Sequence, residues 1–144
     1  MADQIYFEDV NVGDEIPKLT KNCSTQQLVM WAAGSGDFYQ IHYDKDFALS
    51  LGTLPGLIVH GALKHAFLGQ MLHEWVGDKG WVKKFGCQYR GMDVPTQDII
   101  CRGVIAEKKQ EGGKSLVGLD IWTEKADGEK TSPGKATVIL PSRG

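Results

Sequence analysis

Residues 58–76 leave this chain few folds to choose from. Leu57, Ile58, Ala62, Ala66, Leu68, Gly69, Leu72, Trp75 and Val76 recur at helical spacing for five turns, and apolar or small side chains fall on more than one face. A helix that is apolar nearly all round does not lie on a surface; it is enclosed. After residue 80 the period changes. Residues 81–90, 99–107, 116–124 and 136–140 are rich in Val, Ile, Trp, Tyr and Thr and are separated by Gly, Pro and Asp turns, which reads as four strands. Their short connections favour antiparallel neighbours. A sheet face needs a cover, and only one long apolar helix is available to supply it. The expectation is an α+β fold: one curved antiparallel sheet wrapped around one long central helix, as a single domain over residues 1–144.

The preceding half supplies the connections. Residues 1–19 read as an early strand or extended arm. Asn11-Val12-Gly13-Asp14 is a turn, and Ile16-Pro17 stays extended because the residue before proline avoids the α region. Ser24 or Thr25 can cap a short apolar helix carrying Leu28, Val29, Trp31, Ala32 and Ala33, which Gly34-Ser35-Gly36 ends. Residues 37–43 then form a loop, followed by a second short helix over 44–51 capped by Asp44 and closed by Gly52. Residues 127–135, polar and glycine-containing, read as a mobile hairpin loop.

Composition removes several functions. The 144 residues carry a formal net charge of −2 and no basic block, which argues against nucleic acid as the main partner. No apolar run approaches the ~20 residues that span a bilayer. The start, Met1-Ala2-Asp3-Gln4, has neither the basic nor the apolar region of a secretory signal, so a cytoplasmic protein is expected. Cys23, Cys87 and Cys101 form neither a disulfide framework nor a zinc pattern, and no His/Cys/Asp/Glu cluster has metal-ligand spacing.

Two segments carry chemistry. Asp37 and His42 place a carboxylate and an imidazole on one loop, where they can hold one water between them and exchange protons with it. Alone, each is more often structural; together they point to a site. Gly61 stands at the start of the long helix, where backbone N–H groups have no intrahelical partner. A glycine there either lets a ligand oxygen approach the chain or permits close packing of the helix. His60 reads as a helix-start histidine satisfied by backbone, and His65 and His73 as core or rim.

The residues Ser35-Gly36-Asp37, Ile41-His42, Asp44, Pro55-Gly56 and Ile58-Val59-His60-Gly61, in that order and spacing, resemble the MaoC-like dehydratases, the (R)-specific enoyl-CoA hydratases. Val12-Gly13-Asp14 is similar to the family's opening turn, and residues 89–95 to its first strand after the helix. The resemblance implies a hot-dog fold and a hydro-lyase interconverting trans-2-enoyl and (3R)-3-hydroxyacyl thioesters. It makes Asp37 and His42 the water-activating pair and Gly61 the backbone donor to the thioester carbonyl. It implies an acyl-CoA or pantetheine thioester as substrate, no cofactor and no metal, and a homodimer or an assembly of dimers. The family's usual Asp-x-Asn-Pro-x-His departs here to Tyr39-Gln40 in the middle. That departure keeps open a non-catalytic, acyl-CoA-binding subunit of a heteromeric dehydratase; thioester hydrolysis on the same fold is a further alternative.

Overall fold

A computed structural model describes residues 3–144. The long helix, α3 (Gly61–Val76), is the hub, and it packs on all five strands of one antiparallel sheet. The strands are β1 (Leu19–Asn22), β2 (Trp81–Cys87), β3 (Asp98–Glu111), β4 (Lys114–Glu124) and β5 (Lys130–Leu140), in the order β1-β3-β4-β5-β2. Leu63, Phe67, Leu68, Met71, Leu72 and Val76 of α3 are buried against Ile99, Cys101 and Ile105 of β3, Val117, Leu119 and Ile121 of β4, and Ala136, Val138 and Leu140 of β5. Burial alternates along β3, β4 and β5 because successive side chains leave opposite faces of a strand. At Gly69 an added Cβ would lie 2.9 Å from the Phe85 ring, so the absence of a side chain there lets helix and sheet approach.

Two shorter helices, α1 (Thr25–Ser35) and α2 (Lys45–Ser50), lead into α3. Ser24 caps α1 by accepting from Gln27 N–H, and Gly36, at φ 79°, ends it in the left-handed conformation. Asp44 caps α2 by accepting from Phe47 N–H, as expected.

Several boundaries differ from the expectation. Of the early strand or extended arm expected over residues 1–19, the arm describes residues 3–18, with Phe7–Asp9 a single 3-10 turn, and β1 begins only at Leu19. A four-residue edge strand offers too little period to announce itself. The helix begins at Gly61, not at residue 58; Ile58 and Val59 are tied by backbone hydrogen bonds to Ile41 and Asp93 instead. The supposed hairpin loop over 127–135 is mostly strand, since β5 starts at Lys130. Gly134, within that stretch, sits where an added Cβ would collide with the Gly86 carbonyl. Its glycine lets β5 approach β2, which no local pattern reveals.

Candidate active site

The segment after α1 folds back on itself. Ser35 Oγ donates to Trp31 O at 2.7 Å and accepts from Asp37 N–H at 3.2 Å, and the Asp37 carboxylate accepts from Tyr39 N–H at 3.3 Å. That last bond is the local turn an Asp favours, and it aims the carboxylate. Residues 37–43 are not loop throughout: Gln40–His42 make one 3-10 turn, which carries the His42 ring inward. His42 is 6% exposed.

His42 Nδ1 lies 2.7 Å from Ile58 O. A carbonyl only accepts, so Nδ1 carries the proton, and the neutral ring presents a bare lone pair at Nε2. Nε2 is 3.8 Å from Asp37 Oδ2. This exceeds a hydrogen bond. A water donating one O–H to each would need acceptors about 4.5 Å apart, so a small adjustment admits it. The Asp37 side chain is 48% exposed, which leaves the gap open to solvent. Tyr39 lies against the site through its ring, edge-on to His42 at 6.4 Å and to Phe47 at 6.1 Å.

The structure adds a residue that the sequence left as a helix-start histidine satisfied by backbone. The His60 ring stacks on His42 with centroids 3.7 Å apart and planes at 19°. His60 Nε2–H donates to Asp37 O at 3.3 Å, while its Nδ1 is buried without a partner among the described residues. The backbone therefore satisfies only one of its two nitrogens. The expectation that no metal-ligand grouping exists is corrected in one respect: Asp37, His42 and His60 bring ligand atoms within 4.8 Å of one another. The grouping does not fit an ion. Imidazole binds metal in its ring plane, and the in-plane lone pairs of stacked rings run side by side rather than converging. The signal missed was the adjacency of His60 to Gly61, which ties its placement to the helix start.

Burial, and then the neighbouring His42, push the His60 pKa below the ordinary histidine value. The unfolded chain keeps a value near ~6.5. Above that, neither state is protonated at His60. Below it, the unfolded chain takes up a proton that the folded chain refuses, so stability falls with falling pH until the depressed folded pKa is reached. Urea unfolding from pH 7.5 to pH 5 is expected to show this loss, with His60 contributing at most about 1.4 kcal/mol per pH unit. His60→Gln removes that contribution; an unchanged slope refutes the assignment.

Gly61 is the first residue of α3, with His60 as its N-cap, and no carbonyl outside the helix accepts its N–H among the described residues. An added Cβ would lie 2.5 Å from Tyr89 Cδ2. Of the two roles left open for this glycine, close packing is visible, against the Tyr89 ring rather than the sheet. Beside the site, Met30, Trp31, Gly34, Ser35 and Leu63 line a cleft of about 420 Å³ between α1 and α3. A cavity of about 540 Å³, lined by Met71, Trp75 and the N-terminal segment, lies toward the far end of α3. Met71 is about 15 Å along the helix from Gly61.

One curled antiparallel sheet packed on one enclosed helix is the hot-dog fold. The (R)-hydratase from A. caviae involved in PHA biosynthesis superposes with a TM-score of 0.83 at 21% identity, covering 93% of this chain and 99% of that one. The unliganded R-hydratase of Pseudomonas aeruginosa gives 0.82 at 20% identity, over 97% and 88%. The ChsH1–ChsH2 complex of Mycobacterium tuberculosis gives 0.77 at 17%, over 90% and 98%. None of the curated proteins compared matches the chain. The family description "MaoC like domain" matches residues 10–124, and the chain belongs to the MaoC-like dehydratase family. Hydratase or dehydratase chemistry follows at the level of that family. No helix among the described residues is long and apolar enough to cross a membrane.

Proposed function

We propose that the protein interconverts trans-2-enoyl and (3R)-3-hydroxyacyl thioesters, carried on CoA or pantetheine. The observation that supports this reading most is the 3.8 Å gap between Asp37 Oδ2 and His42 Nε2, open to solvent and adjoining the start of α3. A water held there donates one O–H to each group. His42 Nε2 takes a proton as the water oxygen bonds to C3 of the enoyl thioester. Charge moves through C2 to the thioester oxygen, where the N–H of Gly61 and the positive end of α3 stabilise it. The imidazolium returns a proton to C2, so that one water has added across the double bond and the thioester is intact. Asp37 holds the second O–H and balances the charge on the ring. The cleft lined by Met30, Trp31 and Leu63 offers an apolar bed for the acyl chain. A second copy is the proposed partner: β2 is an edge strand, hydrogen-bonded on one side only, and Trp81 at its start is 68% exposed.

Incubation with crotonyl-CoA tests the reading. Loss of the enoyl absorbance without release of free thiol is the expected result. Thiol release would instead mean hydrolysis, and neither change would leave a subunit that binds without turnover. The Tyr39-Gln40 departure favours keeping that last reading in view, and native mass spectrometry of the purified chain distinguishes an active homodimer from a chain awaiting a different partner.

A further inference from the structure

Lys64 is a cation in the first turn of α3 and is 1% exposed. It stands at the positive end of the helix dipole, away from water, so it bears two penalties at once. Its Nζ donates to Asp93 Oδ2 at 2.8 Å and to Gly91 O at 2.9 Å, and the Asp93 side chain is equally buried. The same Asp93 accepts Val59 N–H on its backbone carbonyl at 2.8 Å. On its other side the segment hangs from β5: Arg90 and Gly91 N–H both donate to Thr131 O, at 3.0 and 2.8 Å. Residues 91–93 thus form a strap from the sheet to the residues just before α3. Those residues matter to the chemistry. Ile58 O fixes the His42 tautomer, and Gly61 N–H follows two positions after Val59.

We infer that the buried Lys64–Asp93 pair is a positioning device that locks the 91–93 strap against Val59 and so sets where His42 Nε2 and Gly61 N–H stand relative to each other. The pair touches no reacting atom. Its effect passes through Asp93 O, Val59 N–H and the neighbouring Ile58 O. Apolar side chains of similar volume would fill the same space without the double penalty, and they commonly do so at no loss of stability. What they would not supply is a directional hold on Gly91 O and on the Asp93 backbone.

The test is the double variant Lys64→Met/Asp93→Leu compared with native protein and with Lys64→Met alone. The single variant strands a buried carboxylate and is expected to lose Tm. The double variant is expected to recover Tm to within a few degrees, yet to keep kcat on crotonyl-CoA down by about 10- to 100-fold, the scale of a misplacement near 1 Å. KM should move less than about threefold, since the cleft lined by Met30, Trp31 and Leu63 that beds the acyl chain is unchanged. Amide exchange at Val59 should accelerate by about tenfold or more while β3 and β4 amides keep their protection. A double variant with native kcat, or with native exchange at Val59, overturns the inference and leaves the pair as core packing. The kcat arm rests on the proposed hydratase reading; the exchange arm does not. Native protein inactive on enoyl thioesters would therefore sink that reading while Val59 still decides this one. Should the double variant not fold, Asp93→Asn keeps the shape and is judged by the same exchange: faster at Val59 supports the lock, unchanged refutes it.

Discussion

Asp37→Asn and His42→Gln are each expected to lower kcat on an enoyl thioester by about 10²- to 10⁴-fold, the range that positioned acid–base groups supply. Both replacements are near-isosteric. Asn still accepts from Tyr39 N–H, and Gln can still reach Ile58 O, so the local turn and the buried position survive. Asn presents an NH2 donor where the second carboxylate oxygen stood, and Gln keeps an amide oxygen but loses the basic nitrogen that takes the proton. Because the two groups act on one molecule, the double variant should be little worse than the worse single one. Strict additivity of the two losses would mean that they act on different steps. Steady-state kinetics with Tm as a control for folding decides it, and native kcat in both variants would end the proposed mechanism.

Gly61→Ala is expected to cost about 10²- to 10³-fold in kcat, the scale of losing one oxyanion donor. Alanine retains the N–H. Its methyl, however, would stand 2.5 Å from Tyr89 Cδ2 and 2.9 Å from Tyr89 Cε2. Either the ring or the first turn of α3 must shift, and a shifted turn carries its N–H off the carbonyl oxygen. Tyr89 is 57% exposed, so its ring can be removed without opening the core. Adding Tyr89→Ala to Gly61→Ala makes room for the methyl and should recover at least about tenfold of the loss. No recovery would place the damage elsewhere than in this contact. Tm in the same pair separates strain from chemistry: overpacking of this kind costs about 1–3 kcal/mol, which the second substitution should largely relieve.

The strap and the stack explain why this helix start tolerates so little change. Within residues 58–61 the chain spends one carbonyl on the His42 tautomer, one N–H on Asp93, one ring against His42 and one missing side chain on Tyr89. Four consecutive residues serve three partners, so residues 58–60 stay out of the helix and α3 begins only at Gly61.

How much of this was legible depends on the range of the physics. Periodicity is a local property, and it disclosed the enclosed helix and the strands after residue 80, because burial imposes a repeat of 3.6 on a helix and 2 on a strand; the short connections pointed to the antiparallel pairing. Turn chemistry is local too. The Gly112-Gly113 hairpin, with φ of 57° and 73°, lies where the sequence placed a turn. Asp37, His42 and Gly61 were found as residue types that free chemistry favours, each close to a turn or a helix end. Three things were set instead by partners distant in sequence. Residues 127–135 looked like a hairpin loop until β5, starting at Lys130, lay alongside β2. His60 looked like a cap residue until the chain turned back and laid its ring on His42. Lys64 drew no reading from the sequence at all; only the fold brings Asp93, 29 positions away, to meet it out of water. A sequence displays what a residue does to its neighbours along the chain. Close approach, stacking and buried charge pairing depend on which surfaces folding brings together, and only the tertiary structure decides those.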